Sequence, residues 1–184
     1  MKGNRAAIAA VVAVVLLVAG WWLFRRGDPA ARIDLVEQLP TAEKRPADRT
    51  FQVSDVTING ETHKAIEVTP PSRLTWKQRI PQDAWLRVHI GMKPESFTAE
   101  GDGVLFFVVI SDGRADDKLF EHYVNPFANT GERKWIPVMV DLSQYAGEEM
   151  SIIFNTRTSP PVNPPRDDNR NDFAVWGAPE IITR

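Results

Sequence analysis

The chain has 184 residues with 22 basic and 24 acidic side chains, and every acidic one follows residue 26. Lys2, Arg5, Arg25 and Arg26 flank an N-terminal apolar run, which leaves 18 basic against 24 acidic residues, a net of −6, for the remainder. So acidic a remainder lacks the basic face that nucleic acid or anionic lipid requires, and the absence of cysteine excludes disulfides, thiolate metal sites, haem c attachment, iron–sulfur clusters and a cysteine nucleophile.

The apolar run spans residues 6–24, AAIAAVVAVVLLVAGWWLF, without a charge. As a helix it measures about 28 Å, close to the ~30 Å of a bilayer's hydrocarbon core. Val18-Ala19-Gly20 would also serve as a signal-peptide cleavage site. However, the run continues past it into Trp21 and Trp22, which with Arg25 and Arg26 make an interfacial belt, and this favours a retained anchor over residues 1–26. Ala6, Ala9 and Ala13 give the helix a small-residue face suited to close packing against other transmembrane helices. The short leading tail is the part more readily kept in the cytoplasm, so the expected topology is single-pass, with an extracytoplasmic (periplasmic) C-terminal domain.

Residues 27–50 read as a charged linker with three prolines, Pro29, Pro40 and Pro46. Within it, Ile33, Leu35, Val36 and Leu39 have the spacing of a short amphipathic helix ended by Pro40, a strap lying on the domain, on lipid or on a partner.

From residue 51 the period becomes two. Phe51, Val53, Val56 and Ile58 predict a strand that turns at Asn59-Gly60, with His63 to Val68 returning beside it. Leu74, Trp76 and Ile80 alternate next, followed by Trp85, Leu86, Val88 and Ile90. Val104 to Ile110 is continuously apolar, as suits a strand buried on both faces. Further strands are expected around Leu119–Tyr123, Trp135–Leu142, Met150–Phe154 and Phe173–Ile182, with a Pro/Asp/Asn-rich loop from Thr158 to Asp172. Eight or nine short strands over residues 51–184, with almost no helical periodicity, predict an all-β, antiparallel, two-sheet sandwich or jelly roll behind one N-terminal transmembrane helix.

Three phrases sharpen this: Gly101-Asp102-Gly103-Val104, the stretch from Trp135 through Val140-Asp141-Leu142-Ser143 to Tyr145-Ala146-Gly147, and Asp172-Phe173-Ala174-Val175-Trp176-Gly177. Together they resemble the galactose-binding-like jelly rolls of carbohydrate-binding modules. The resemblance implies the sandwich fold, carbohydrate binding in many members, a structural calcium in some and protein contacts alone in others. For calcium the candidates are Asp172 with backbone oxygens, and Asp167 and Asn169 beside it. The loop has Asp172 and Ala178 where an EF-hand needs glycine and glutamate, so it is not one. Trp76, Trp85, Trp135 and Trp176 fit core packing better than a sugar-stacking platform; if one of them is exposed, the first choice is Trp135, next to Arg133 and Lys134 after a long polar loop. His63, His89 and His122 lack metal-ligand spacing, and no nucleophile elbow or phosphate loop occurs, so no enzyme is expected and no cofactor beyond structural Ca2+.

Two functions fit these features. The favoured one is a non-catalytic accessory subunit bracing integral membrane proteins of a larger complex, such as a respiratory or photosynthetic assembly. The alternative is a membrane-tethered carbohydrate-binding module for a glycan or cell-envelope polymer.

Overall fold

In a computed structural model, which describes residues 32–48, 51–158 and 168–183, the first element is not the helix expected around Leu35 but a strand, β1 (Arg32–Asp34). Asp34 ends it. Its Oδ1 accepts the backbone N–H groups of Val36 (2.8 Å) and Glu37 (3.2 Å), turning the chain so that Leu35, Val36 and Leu39 enter the core. A 3₁₀ turn with Pro40 in its first positions leads to β2 (Glu43–Arg45). Because β1 and β2 each join a sheet, the sandwich begins at Arg32 rather than at residue 51. The apolar run with Ala6, Ala9, Ala13, Trp21 and Trp22 lies outside the described residues. Among the described residues, no helix is long and apolar enough to cross a membrane.

The period-two pattern then takes over. β3 (Gln52–Ile58) and β4 (Glu61–Val68) form a hairpin around Asn59 (φ 51°) and Gly60 (φ 82°), the two positive angles a type I′ turn demands. A Cβ at Gly60 would meet nothing within 4 Å, so Gly60→Ala tests backbone strain alone. It should cost about 1 kcal/mol in urea unfolding, and a neutral result would mean the turn relaxes to another type.

β5 (Ser72–Arg79), β6 (Ala84–Met92), β7 (Val104–Ser111), β8 (Asp116–Val124), β9 (Ile136–Asp141), β10 (Glu149–Arg157) and β11 (Ala174–Thr183) follow. One sheet has the order β3-β4-β11-β6-β9, with β1 also on β11, and the other runs β2-β5-β10-β7-β8. All pairings are antiparallel. The apolar run of β7 lies between β10 and β8 and is almost wholly buried, while edge strand β8 carries Asp116, Asp117, Lys118, Glu121 and His122 outward. Charges on an exposed edge discourage pairing with another chain.

β11 is the keystone of its sheet. Its first half, Ala174 to Gly177, pairs with β4, and after a bulge at Ala178 and Pro179 its second half pairs with β1. The β1 junction is locked by Glu180, 3 % exposed, whose carboxylate is shared by Arg32 and by Arg87 of β6. Between the sheets, Trp176 of β11 meets Phe106 edge-on (5.0 Å between centroids) and Phe154 (4.5 Å). Trp76 packs edge-on against Phe154 from the far side (5.2 Å). Trp76 and Trp176 are therefore core residues, which their alternating neighbours predict.

Candidate functional site

Trp135, the first choice for a sugar platform if one tryptophan were exposed, is only 4 % exposed and packs as core. Its indole lies on the outer face of the first sheet over two glycines. A Cβ on Gly177 would come within 2.8 Å of the ring, and one on Gly91 within 3.3 Å. The Nε1–H donates to the Glu61 carbonyl at 3.0 Å, and Val56, Ile58, Ala65 and Val175 complete a small second core. Arg133 is likewise structural. It donates to the carbonyls of Pro126 and Phe97, both at 2.9 Å, clamping two loops with its guanidinium over the Phe97 ring. The polar neighbours of Trp135 indicated exposure because the glycine floor that covers it comes from strands distant in sequence.

The calcium candidates divide. Asp167 lies outside the described residues. Asn169 is exposed, and its Nδ2 donates to the Pro70 carbonyl at 3.4 Å. Asp172 is 3 % exposed and both its carboxylate oxygens are buried, with the Gly103 backbone N–H turned toward them. Burial, then the charges of Asp102 and Asp168, push its pKa up to about 8. Asp168 itself is tied to Arg170, which holds its carboxyl down to about 2.

The second carboxylate at this place is Asp102, which the calcium reading did not include. Its side-chain oxygens are buried as well, and its carbonyl accepts the Tyr123 hydroxyl. Burial and the nearby acidic groups raise the Tyr123 pKa, so the phenol stays protonated as a donor. Gly101 leaves the space: a Cβ there would stand 3.4 Å from Asp172 Oδ1 and 3.2 Å from the Arg170 carbonyl oxygen. Two buried carboxylates beside backbone oxygens form a hard-oxygen set, the donor chemistry calcium prefers.

Next to Asp172 the chain presents Phe173, a large side chain left 43 % exposed. It borders a cleft of about 240 Å³ with Gln52, Glu67, Thr69 and Lys93, at the end of the sheet where β3 and β11 begin and β4 and β6 finish. Lys93 Nζ pairs with Glu67 at 3.0 Å and with Glu95 at 3.6 Å, and Ser54 donates to Glu67 at 2.5 Å. Desolvation opposes ionisation of Glu67, but Ser54 and Lys93 outweigh it and its pKa is lowered; Lys93 is raised chiefly by its bond to Glu67. The Phe173 backbone is pinned at both ends: its carbonyl accepts Lys93 N–H at 2.9 Å and its N–H reaches Ser96 Oγ at 3.3 Å. A half-exposed aromatic face beside fixed donors and acceptors suits a small polar ligand with one apolar face. Phe173 was legible only as the start of the last strand.

No protein-family model matches the chain. An uncharacterized protein of Archaeoglobus fulgidus is 44 % identical over 103 residues, 55 % of this chain and 25 % of that one, so the chain spans about a quarter of that relative's length. Solved structures share the fold. The CBM51 module of Clostridium perfringens GH95, in complex with methyl-galactose, superposes with a TM-score of 0.56 at 14 % identity, covering 82 % of this chain and 99 % of that one. The CBM51-2 and INT domains of Clostridium perfringens ZmpB give 0.59 at 12 % identity, over 83 % of this chain and 32 % of theirs. The CBM51-2 and INT domains with GlcNAc bound give 0.52 at 14 %. The sandwich is thus the jelly roll of carbohydrate-binding modules.

Proposed function

We propose that this chain is a non-catalytic carbohydrate-binding module whose ligand, a terminal hexose or N-acetylhexosamine of a larger glycan, docks in the cleft beside Phe173. The observation that carries this reading is the exposed Phe173 ring next to the Glu67–Lys93 pair. The ring offers a stacking face for the C–H side of a pyranose, and the ion pair offers one acceptor and one donor for vicinal hydroxyls. The shared jelly roll supports it further, since the CBM51 structures hold methyl-galactose and GlcNAc. The accessory-subunit reading has no comparable support: its helix lies outside the described residues, and the apolar residues of the expected strap, Leu35, Val36 and Leu39, are used up in the core. In this proposal the run at residues 6–24 is a tether that keeps the module at the extracytoplasmic face of a membrane.

Asp172 and Asp102 are proposed to hold a structural Ca2+ with neighbouring backbone oxygens, fixing the loop from which Phe173 projects. The ion would neutralise two buried carboxylates and takes no part in chemistry.

Methyl-galactose and GlcNAc titrated into the full chain by calorimetry test the function. Binding of either, weakened roughly tenfold or more in Phe173→Ala, is the expected result, since stacking on an aromatic contributes on the order of 1–2 kcal/mol. No heat with either sugar or with a glycan array, or binding unchanged by Phe173→Ala, would overturn it.

A further inference from the structure

On the outer face of the first sheet, four residues along β4 from the cleft's Glu67, two of the chain's three histidines touch. His63 of β4 and His89 of β6 are separated by the whole of β11, yet their rings stack with centroids 4.1 Å apart and planes at 21°. Gly177 makes this possible. It is the residue of β11 that stands opposite His89, and a Cβ on it would lie 3.3 Å from that of His63. Without a side chain between them the two imidazoles close over the strand. Glu61 joins from the start of β4, its Oε1 2.8 Å from His63 Nε2.

We propose that Glu61, His63 and His89 form a binding site for a divalent transition-metal ion, with Zn2+ as the expected occupant. One ring nitrogen of each histidine and one oxygen of Glu61 all lie within 4.8 Å of one another. Tetrahedral zinc with bonds of about 2.0–2.1 Å sets its ligand atoms roughly 3.4 Å apart, and because each imidazole lone pair lies in its ring plane, the two stacked rings must swing apart to aim at one ion. Two imidazoles and a carboxylate match the borderline character of zinc and leave a fourth position for water. The edge of the site at Glu61 is open, with 58 % of that side chain exposed, so an ion can enter. The inner edge is dry: Nδ1 of His89 is buried there, and the ring bonds the Gly177 backbone. The Glu61–His63 contact alone accounts for one histidine. Trp135 packs edge-on against both rings, and a shared ion would use the same gathering of two imidazoles and an acid.

The test is calorimetric titration of Zn2+ into the EDTA-treated full chain in detergent, at neutral pH with excess calcium present. A single zinc site is expected, undisplaced by calcium. Glu61→Gln, His63→Ala and His89→Gln should each weaken it roughly 10- to 100-fold or more, at least what loss of an outer-shell partner costs, and Asp172→Asn should leave it intact. Cu2+, which also favours imidazole, should quench the fluorescence of Trp135, whose ring is 5.1 Å from His63, and Trp135→Phe should lose that quenching while still binding. Absence of zinc binding, or equal affinity in both histidine variants at unchanged melting temperature, overturns the proposal. If the histidine variants fail to fold, the exposed Glu61→Gln decides: lost affinity supports the site and unchanged affinity refutes it. Sugar binding at Phe173 is measured separately, so failure of either site leaves the other standing.

Discussion

Stripped of divalent cations, the domain should lose stability as the pH rises from about 4 to about 8, and calcium should restore it. The cause is Asp172, whose folded pKa stands near 8, above the ~3.9 of an unfolded aspartate. Below both values each state carries the proton and burial costs no charge. Between them the unfolded chain ionises while the folded one must keep its proton, so the stability contributed by the protonated group drains away as the pH climbs and is gone above about 8. The full swing is on the order of 5 kcal/mol, roughly 10–20 °C in melting temperature for a domain of this size. Millimolar calcium, by pairing with the ionised carboxylates of Asp172 and Asp102, should flatten the profile. Asp172→Asn should flatten it without calcium and abolish the response to calcium. Thermal melts in EDTA and in calcium across this pH range decide the matter. A flat EDTA profile in the native protein would mean that Asp172 is solvated, and a calcium response kept by Asp172→Asn would move the ion elsewhere.

Trp135→Ala should be among the most damaging single changes in the protein, at about 3–5 kcal/mol, because it empties the second core and leaves a cavity over Gly91 and Gly177. Trp135→Phe keeps most of the ring but strips the Glu61 carbonyl of its indole donor, at about 1–2 kcal/mol. Urea unfolding measures both, and sugar titration beside it separates the two roles. A stacking platform would lose sugar and keep its stability. The buried indole does the reverse, and a Trp135→Ala protein of native stability would place the ring in solvent after all.

The periodicity of the sequence carried the sandwich. Alternation at Val56 and Ile58, the apolar block Val104–Ile110 and the Asn59-Gly60 turn all became the elements they imply. These signals are local, since a strand buried on one or both faces must write its period into its own residues. What was not legible depends on register between distant strands. β1 is three residues long and acquires its identity from Ile181 and Glu180 near the other end of the chain. The buried carboxylate pair was half visible: Asp172 stood out in its polar loop, but Asp102 joins it only because the start of β7 and the loop before β11 meet. His63 and His89 have no metal-ligand spacing in sequence, yet a glycine on a third strand brings them into contact. Trp135 followed the same logic in reverse, its charged neighbours suggesting water where two glycines supply a floor.

The division of β11 between β4 and β1 has a mechanical consequence. Phe173 and the cleft stand at the strand's beginning, while the chain enters the domain at Arg32, opposite Ile182 near its end, about 30 Å away at 3.3 Å per residue. A ligand held at Phe173 and pulled against a tether at Arg32 would load β11 lengthwise. β1 lies antiparallel along it, so the force would slide the two strands past each other, straining their hydrogen bonds and the Arg32–Glu180 contact together instead of peeling them one by one. That is the shearing direction, in which a short strand resists most. The short strand β1 would thus be oriented to bear tension if a ligand were held at Phe173 and the chain before Arg32 were anchored.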